Sequence, residues 1–169
     1  MRIIDIGAGT RPIPNCDVYF DQSVKPTEDR KAISGKLPNT DYFGNPIYWI
    51  IGNVEAMTFK KKEFDFSYCR SVLEHTNLPH KACNEIIRIS KAGYITSPSP
   101  TIERTRPNSA HKWYVWTDNG YMLNFRHKAL GYPIPAIKEQ FSGNLMEFFW
   151  KNTFFYTVYY NNGKIITNK

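Results

Sequence analysis

Cysteine is scarce in this sequence, and long apolar runs are missing from it. The 169 residues include three cysteines, Cys16, Cys69 and Cys83, an odd number without C-x-x-C spacing. This pattern suggests neither a disulfide framework nor a zinc or other metal site, so we expect small buried or half-buried thiols. No apolar run approaches the roughly 20 residues that a membrane span requires. We therefore expect no contact with a membrane.

The start of the chain leaves no room for a targeting segment, because the first apolar strand begins at Arg2. We expect no signal or transit peptide, and hence a cytoplasmic protein. The length fits a single domain, residues 1–169, and an aromatic content of 15% is enough to fill its core. A net charge of +7 admits a polyanionic partner, but the basic residues are scattered, and the run 60–62 is typical of a solvated turn.

A glycine loop follows the first apolar run. Residues 2–10 read R-I-I-D-I-G-A-G-T, a strand that ends at Gly7 and Gly9. Glycine allows backbone conformations closed to other residues and lets a ligand lie against main-chain N–H groups. A dinucleotide fingerprint would need a third glycine three residues after Gly9, where the sequence has Pro12. The loop instead resembles motif I of the class I S-adenosylmethionine-dependent methyltransferases.

Strands alternate with one clear helix over the first hundred residues. Apolar residues spaced by four, four and three predict a helix from about Leu78 to Ile89, with Thr76 or Asn77 as its cap and Gly93 as its end. The predicted strands are 2–6, 17–21, 48–51, 64–69 and 94–97. This alternation predicts a parallel sheet with right-handed crossovers.

Other segments depart from regular alternation. Only eight residues separate Gly9 from Val18, too few for a crossover helix, so we expect the first helix to be truncated. Residues 22–45 read mostly as loop, with a short helix near 28–33. The remaining predictions are an extended segment 113–116, a helix 120–130, a stiff link 132–135, and a β-rich segment 148–160 that turns at 161–163 into a hairpin. The fold class is α/β, a Rossmann-like, mostly parallel sheet with a C-terminal antiparallel hairpin.

Parallel strands bring their C-terminal ends to one edge of the sheet, where ligands bind. For S-adenosylmethionine, the first strand end supplies Gly7, Ala8 and Gly9, and Asp5 would order this loop or meet the ammonium group through water. The second strand end supplies Asp21, whose carboxylate can accept both ribose hydroxyls. The third and fourth strand ends supply the remaining predicted cofactor residues, Asn53, Val54, Glu55, Cys69 and Arg70.

The segment 52–93 is similar to the type-11 group of class I methyltransferases. It reads G-N-V-E-A-M-T-F, then E-F-D-F-S-Y-C-R-S-V-L-E-H-T, then N-E-I-I-R-I-S-K-A-G. The resemblance implies S-adenosyl-L-methionine as cofactor and S-adenosyl-L-homocysteine as product. Asn53 stands where the family usually has Asp, and an amide can still meet the adenine edge.

Methyl transfer to a hydroxyl requires a base near the sheet edge. His111 is the first candidate, because it lies in S-A-H-K-W-Y-V-W, an element that resembles one in glycan-cluster O-methyltransferases. Trp113, Tyr114 and Trp116 would then offer faces on which sugars stack; the alternative is a surface histidine beside core tryptophans. Glu74 and His75 are further catalytic candidates, with a structural role for His75 as the alternative.

The sequence thus predicts O-methylation of a small molecule or a glycan hydroxyl by a monomer or homodimer. Arg104 and Arg106 could grip an acidic group on the acceptor, or belong to a solvated basic loop. The alternatives are a nucleic-acid or protein methyltransferase and a non-catalytic cofactor-binding shell. Nucleic acid is the less favoured partner, since an N-P-P-Y motif is missing.

Overall fold

The computed structural model describes residues 1–23, 36–118, 120–132 and 144–168. Within these ranges the chain forms two sheets and two α-helices. The strands are β1 Ile3–Ile6, β2 Val18–Asp21, β3 Trp49–Ile51, β4 Phe64–Arg70, β5 Ser90–Pro98, β6 Trp113–Asp118, β7 Met122–His127, β8 Leu145–Lys151, β9 Phe155–Tyr159 and β10 Ile165–Thr167. The helices are α1 Pro79–Ile89 and α2 Pro100–Thr105, and short 3-10 helices span Leu73–His75 and Lys128–Leu130. The helix expected near 28–33 lies outside the described residues, as does most of the link 132–135.

The larger sheet has the strand order β3-β2-β1-β4-β5-β8. Its first five strands run parallel, and β8 pairs antiparallel with β5. The short apolar runs become buried strands because both faces of their central part are covered. In β1, Ile4 and Asp5 point to opposite faces of the sheet, and neither has exposed surface. The prediction of a Rossmann-like, mostly parallel sheet is confirmed.

The connection between β1 and β2 is a chain of turns. Residues 7–17, all of them described, form no helix. The backbone N–H of Ile13 donates to Oδ2 of Asp5 over 2.7 Å, so the connection folds back against the strand it leaves. The prediction of a truncated first helix is confirmed.

Helix α1 buries Ala82, Ile86 and Ile89, as the apolar stripe predicts. The predicted span from about Leu78 to Ile89 is confirmed, but the predicted cap residues and the terminating glycine were wrong. The N-cap is Leu78, and the helix stops at Ser90, so Gly93 lies inside β5. Gly93 is needed there for space, because a Cβ atom would come within 2.7 Å of both the Ser67 carbonyl oxygen and Nε1 of the Trp150 side chain.

A second sheet, with the order β10-β9-β7-β6, was not expected in this form. The helix predicted over 120–130 was wrong, because residues 122–127 form β7, between antiparallel β6 and parallel β9. The hairpin of β9 and β10 is confirmed. Val115, Phe125 and Val158 of this sheet join Ile4 and Ile95 of the larger one in a single hydrophobic core.

The cysteines are free, with Cys69 and Cys83 buried and Cys16 half-buried, which confirms the expected thiols. No helix among the described residues combines the length and the apolar character needed to cross a bilayer.

Candidate active site

A cavity of about 720 Å³ lies at the C-terminal ends of the parallel strands. This is the edge at which ligands bind in open α/β sheets. Its walls come from the loops after β1, β2, β3 and β4 and from the segment that precedes β6. The predicted site residues that line it are Gly7, Ala8, Gly9, Asp21, Asn53, Val54, Glu55, Arg70, His75 and His111.

The glycine loop is held by the end of β2. Gly7 and Gly9 have positive φ angles of 67° and 57°, which favour glycine. The N–H groups of Gly7 and Ala8 donate to the Phe20 carbonyl over 2.7 and 3.3 Å. A Cβ atom at Gly7 would lie 2.1 Å from Cγ2 of Val72. The chain therefore needs glycine at position 7 for conformation and for space.

Asp21 ties the second strand end to this loop. Its Oδ2 atom accepts the Gly9 N–H over 3.0 Å, and its side chain lies in the cavity wall. The carboxylate predicted to meet the ribose thus also fixes the shape of the loop.

Asp5 and Cys69 lie behind the cavity wall, without exposed surface. Oδ2 of Asp5 accepts the Ile13 N–H and lies 3.6 Å from Nη2 of Arg70. Among the described residues, Oδ1 of Asp5 has no hydrogen-bond partner. Burial raises the pKa of Asp5 to about 6, although the Ile13 hydrogen bond and the Arg70 charge lower it. Burial also raises the pKa of the Cys69 thiol well above its usual range, so Cys69 is an inert packing residue.

Glu55 has a structural task besides lining the cavity. Its Oε1 atom accepts the N–H groups of Asn77 and Leu78 over 2.7 and 2.9 Å, which satisfies free donors at the start of α1. The predicted caps, Thr76 and Asn77, do not fill this role. Oδ1 of Asn53 accepts the Glu55 N–H over 2.9 Å and so orients this turn.

Helix α2 carries a carboxylate that sequence reasoning missed, Glu103. The helix begins because the Ser99 side chain caps it at the Ile102 N–H and Pro100 has the φ angle of a first helical residue. Glu103 is 3% exposed. The sequence did hold a signal for this residue. Glu103 lies only eight residues before His111, so a turn can bring the two side chains together.

Glu103 holds the ring of His111. Oε2 of Glu103 lies 2.5 Å from Nδ1 of His111, and Oε1 accepts from the Asn108 N–H and from Nζ of Lys128 over 2.9 and 2.5 Å. Burial acts to raise the pKa of Glu103, but the hydrogen bonds from Asn108, Lys128 and His111 prevail and lower it. An ionised carboxylate can only accept a hydrogen bond, so it favours the tautomer of His111 that carries its proton on Nδ1. The lone pair of the neutral ring then lies on Nε2.

Glu74 and His75 lie beside this pair. One side-chain ligand atom from each of Glu74, His75 and His111 lies within 4.8 Å of the other two, and the two rings meet edge to face with centroids 4.5 Å apart. His75 lines the cavity, whereas Glu74 is 1% exposed. Glu74 is thus placed to act on the histidines rather than to touch a ligand.

The aromatic residues after His111 do not form a stacking surface. Trp113 and Trp116 are buried in the core, and Nε1 of Trp113 donates to the Thr76 carbonyl over 2.7 Å. Tyr114 is half-buried and packs against Tyr132. The expected sugar platform was wrong, because both tryptophans of β6 are buried, on opposite faces of the strand.

Residues 19–95 match the Methyltransf_11 family model, described as a methyltransferase domain. The match spans β2 to β5 and covers a little under half of the chain. A search of curated proteins found no match.

Several solved structures are similar to this chain at low identity and low TM-score. A protein from Pyrococcus horikoshii is 16% identical with a TM-score of 0.46, over 68% of this chain and 60% of that one. An S-adenosylmethionine-dependent methyltransferase from Thermotoga maritima is 21% identical with a TM-score of 0.39, over 57% and 42%. The N-terminal domain of EvdMO1 with S-adenosylhomocysteine bound is 18% identical with a TM-score of 0.39, over 59% and 43%. The chain therefore spans less than two thirds of each of these structures.

The matched residues 19–95 include the ends of β2, β3 and β4. Residues 19–95 are similar to a methyltransferase domain, which supports S-adenosylmethionine as the cofactor of this site.

Proposed function

We propose that this chain is an S-adenosylmethionine-dependent methyltransferase that methylates a hydroxyl of a small molecule or glycan, with His111 as general base. The observation that carries the proposal is the position of His111. Its ring lines the same cavity as the glycine loop and is oriented by a buried carboxylate. A base in that place serves a reaction in which an acceptor must lose a proton.

The residues of the cavity fit the cofactor. A volume of about 720 Å³ lies within the range of roughly 300–1,000 Å³ that is usual for small-molecule sites. Gly7 and Gly9 bring backbone to the wall without side chains, and Asp21 presents a carboxylate at the end of β2. These residues would hold the methionine and ribose parts, and Asn53 and Val54 the adenine.

When bound, S-adenosylmethionine supplies a methyl carbon activated by its sulfonium, so that an O–C bond forms while the S–C bond breaks. The protein has to align the acceptor and remove the hydroxyl proton. Nε2 of His111 receives that proton. Glu103 fixes the tautomer that leaves Nε2 free of hydrogen and stabilises the ring once it is charged.

His75 and Glu74 support this base. The edge-to-face contact of His75 limits rotation of the His111 ring, and a ligand atom of the buried Glu74 side chain lies within 4.8 Å of both histidines. We assign Glu74 and His75 positioning roles.

The experiment begins with calorimetric titration of S-adenosylmethionine and S-adenosylhomocysteine, for which we expect micromolar binding. Methyl transfer to sugars, small hydroxylated molecules and RNA is then measured with the wild type and with His111→Gln. We expect His111→Gln to bind the cofactor normally and to lose about 10²- to 10⁴-fold in kcat.

His80→Gln is the matched control, because His80 lies on α1 with Nδ1 2.7 Å from the Tyr160 hydroxyl, away from the cavity wall. Failure of both cofactor forms to bind would refute a methyltransferase. Methylation of RNA but of no sugar or small molecule would refute the acceptor class, and an unimpaired His111→Gln would refute the base.

A further inference from the structure

A second cavity, of about 480 Å³, adjoins the first at His111. Its walls are Pro107, Asn108, Ser109, His111, Lys112, His127 and Lys128. Asn108, His111 and Lys112 line both cavities. If the glycine loop assigns the first cavity to the cofactor, a group held in the second cavity meets the first at His111, Asn108 and Lys112.

The hydrogen bond of Asn108 marks the place of the acceptor hydroxyl. Nδ2 of Asn108 lies 3.1 Å from Nε2 of His111. Its orientation is set by Oδ1, which accepts the Ala110 N–H over 2.9 Å. The amide N–H therefore donates to the lone pair that a substrate O–H would use, and an exposed side chain in a loop can give way to a substrate.

The side chains that line the second cavity are basic or neutral. Its lining contains two lysines and two histidines and no carboxylate. Lys128 is neutralised by Glu103, with Nζ 2.5 Å from Oε1. Lys112 is different, because its Nζ donates to the neutral amide oxygen of Asn77 over 2.5 Å and has no carboxylate within 4.0 Å among the described residues. An uncompensated ammonium group beside the base favours an anionic ligand.

We propose that the second cavity is the acceptor subsite and that it takes an acceptor with an oxyanion group, phosphate or carboxylate, near the hydroxyl that is methylated. The proposal rests on the proposed function. Lys112 holds the oxyanion, His111 takes the hydroxyl proton, and the Asn108 amide is displaced. Arg104 is less suited to this task, because its guanidinium already lies over the Tyr132 ring at 5.0 Å.

The test titrates inorganic phosphate and, separately, acetate into the chain loaded with S-adenosylhomocysteine, and follows the imidazole signals of His111 by NMR. We expect saturable binding of at least one anion, weakened about tenfold in Lys112→Gln, since a charge-assisted hydrogen bond is lost. The stronger of the two anions identifies the oxyanion as phosphate or carboxylate. Lys61→Gln is the matched control, with the same charge change on an exposed residue outside both cavities.

Binding of S-adenosylhomocysteine, measured first, separates the two proposals. If it fails, the methyltransferase proposal falls. If it succeeds and neither anion saturates, or if Lys112→Gln binds anions like Lys61→Gln, the acceptor subsite is wrong.

Discussion

Oε2 of Glu103 lies 2.5 Å from Nδ1 of His111, although helix α2 ends between them. Through this contact the buried carboxylate orients the imidazole, which lines both cavities.

Replacing Glu103 with Gln tests the role of the hydrogen bond between Glu103 and His111. We expect kcat for methyl transfer to fall about 10- to 100-fold, a part of the effect of the base itself, because the amide no longer enforces the tautomer of His111. Glu103→Asp should recover part of the rate. An unchanged kcat alongside a lower melting temperature would show a merely structural role.

Replacing Gly7 with Ala tests the loop. The positive φ alone costs about 1–2 kcal/mol in free energy of unfolding, and the new Cβ meets Val72 at 2.1 Å. Urea denaturation should therefore show a larger loss of free energy of unfolding for Gly7→Ala than for Gly120→Ala. At Gly120, φ is 71° and no atom lies within 4 Å of the added Cβ. Equal losses in the two variants would mean that Val72 yields without cost.

Replacing Asp21 with Asn tests the ribose contact. The amide oxygen can still accept the Gly9 N–H, so the loop is kept while the charge is lost. We expect binding of S-adenosylhomocysteine to weaken by about 1–3 kcal/mol in calorimetry. Asp17→Asn is the control, because Oδ2 of Asp17 accepts the Ile3 N–H at the far end of β2, outside the cavity lining. Equal binding by both variants would contradict the assignment.

Asp5 makes stability depend on pH. Its pKa is raised from 3.8 to about 6, so between these pH values the folded chain retains a proton that the unfolded chain releases. Its contribution to the free energy of unfolding therefore falls as pH rises through this window, by up to about 3 kcal/mol, and is constant above it.

Asp5→Asn removes this titration. The stability of Asp5→Asn relative to the wild type should increase from pH 4 to pH 6 and then level off. Urea denaturation of the ligand-free chain over this range measures it. A difference that does not vary with pH would show that the Asp5 carboxyl titrates at its ordinary pKa.

The parallel half of the fold could be predicted from local sequence, and the second sheet could not. Strands β1, β2 and β4 are short apolar or β-rich runs that stop at glycine or polar residues, and their burial needs no distant information. Residues 122–127 form a strand because β6 and β9 pair with them, and β9 lies about thirty residues further along the chain. Pairing between segments so far apart gives little signal in the sequence of residues 122–127 themselves.

The candidate site also has a part that local sequence predicts and a part that it does not. Gly7, Gly9 and Asp21 lie at the ends of β1 and β2, and ligands bind at the carboxyl ends of parallel strands, so these residues could be predicted. The inward turn of Trp113 and the carboxylate of Glu103 depend on packing between α2, β6 and the turn 73–75, which periodicity does not reveal. Gly93 was mistaken for a helix end for a related reason, because the space it leaves is used by Trp150 of a distant strand.

The two residues after His111 are anchored to the segment after β4 by main-chain carbonyls. The Lys112 N–H donates to the Glu74 carbonyl over 2.8 Å, and Nε1 of Trp113 to the Thr76 carbonyl over 2.7 Å. Neither acceptor depends on which side chain stands at 74 or 76. Substitutions in the loop 106–110 that keep Asn108 should therefore alter the shape and charge of the second cavity while residues 112 and 113 keep their place. Under the proposed function, the acceptor preference can then change while His111 stays at the cavity.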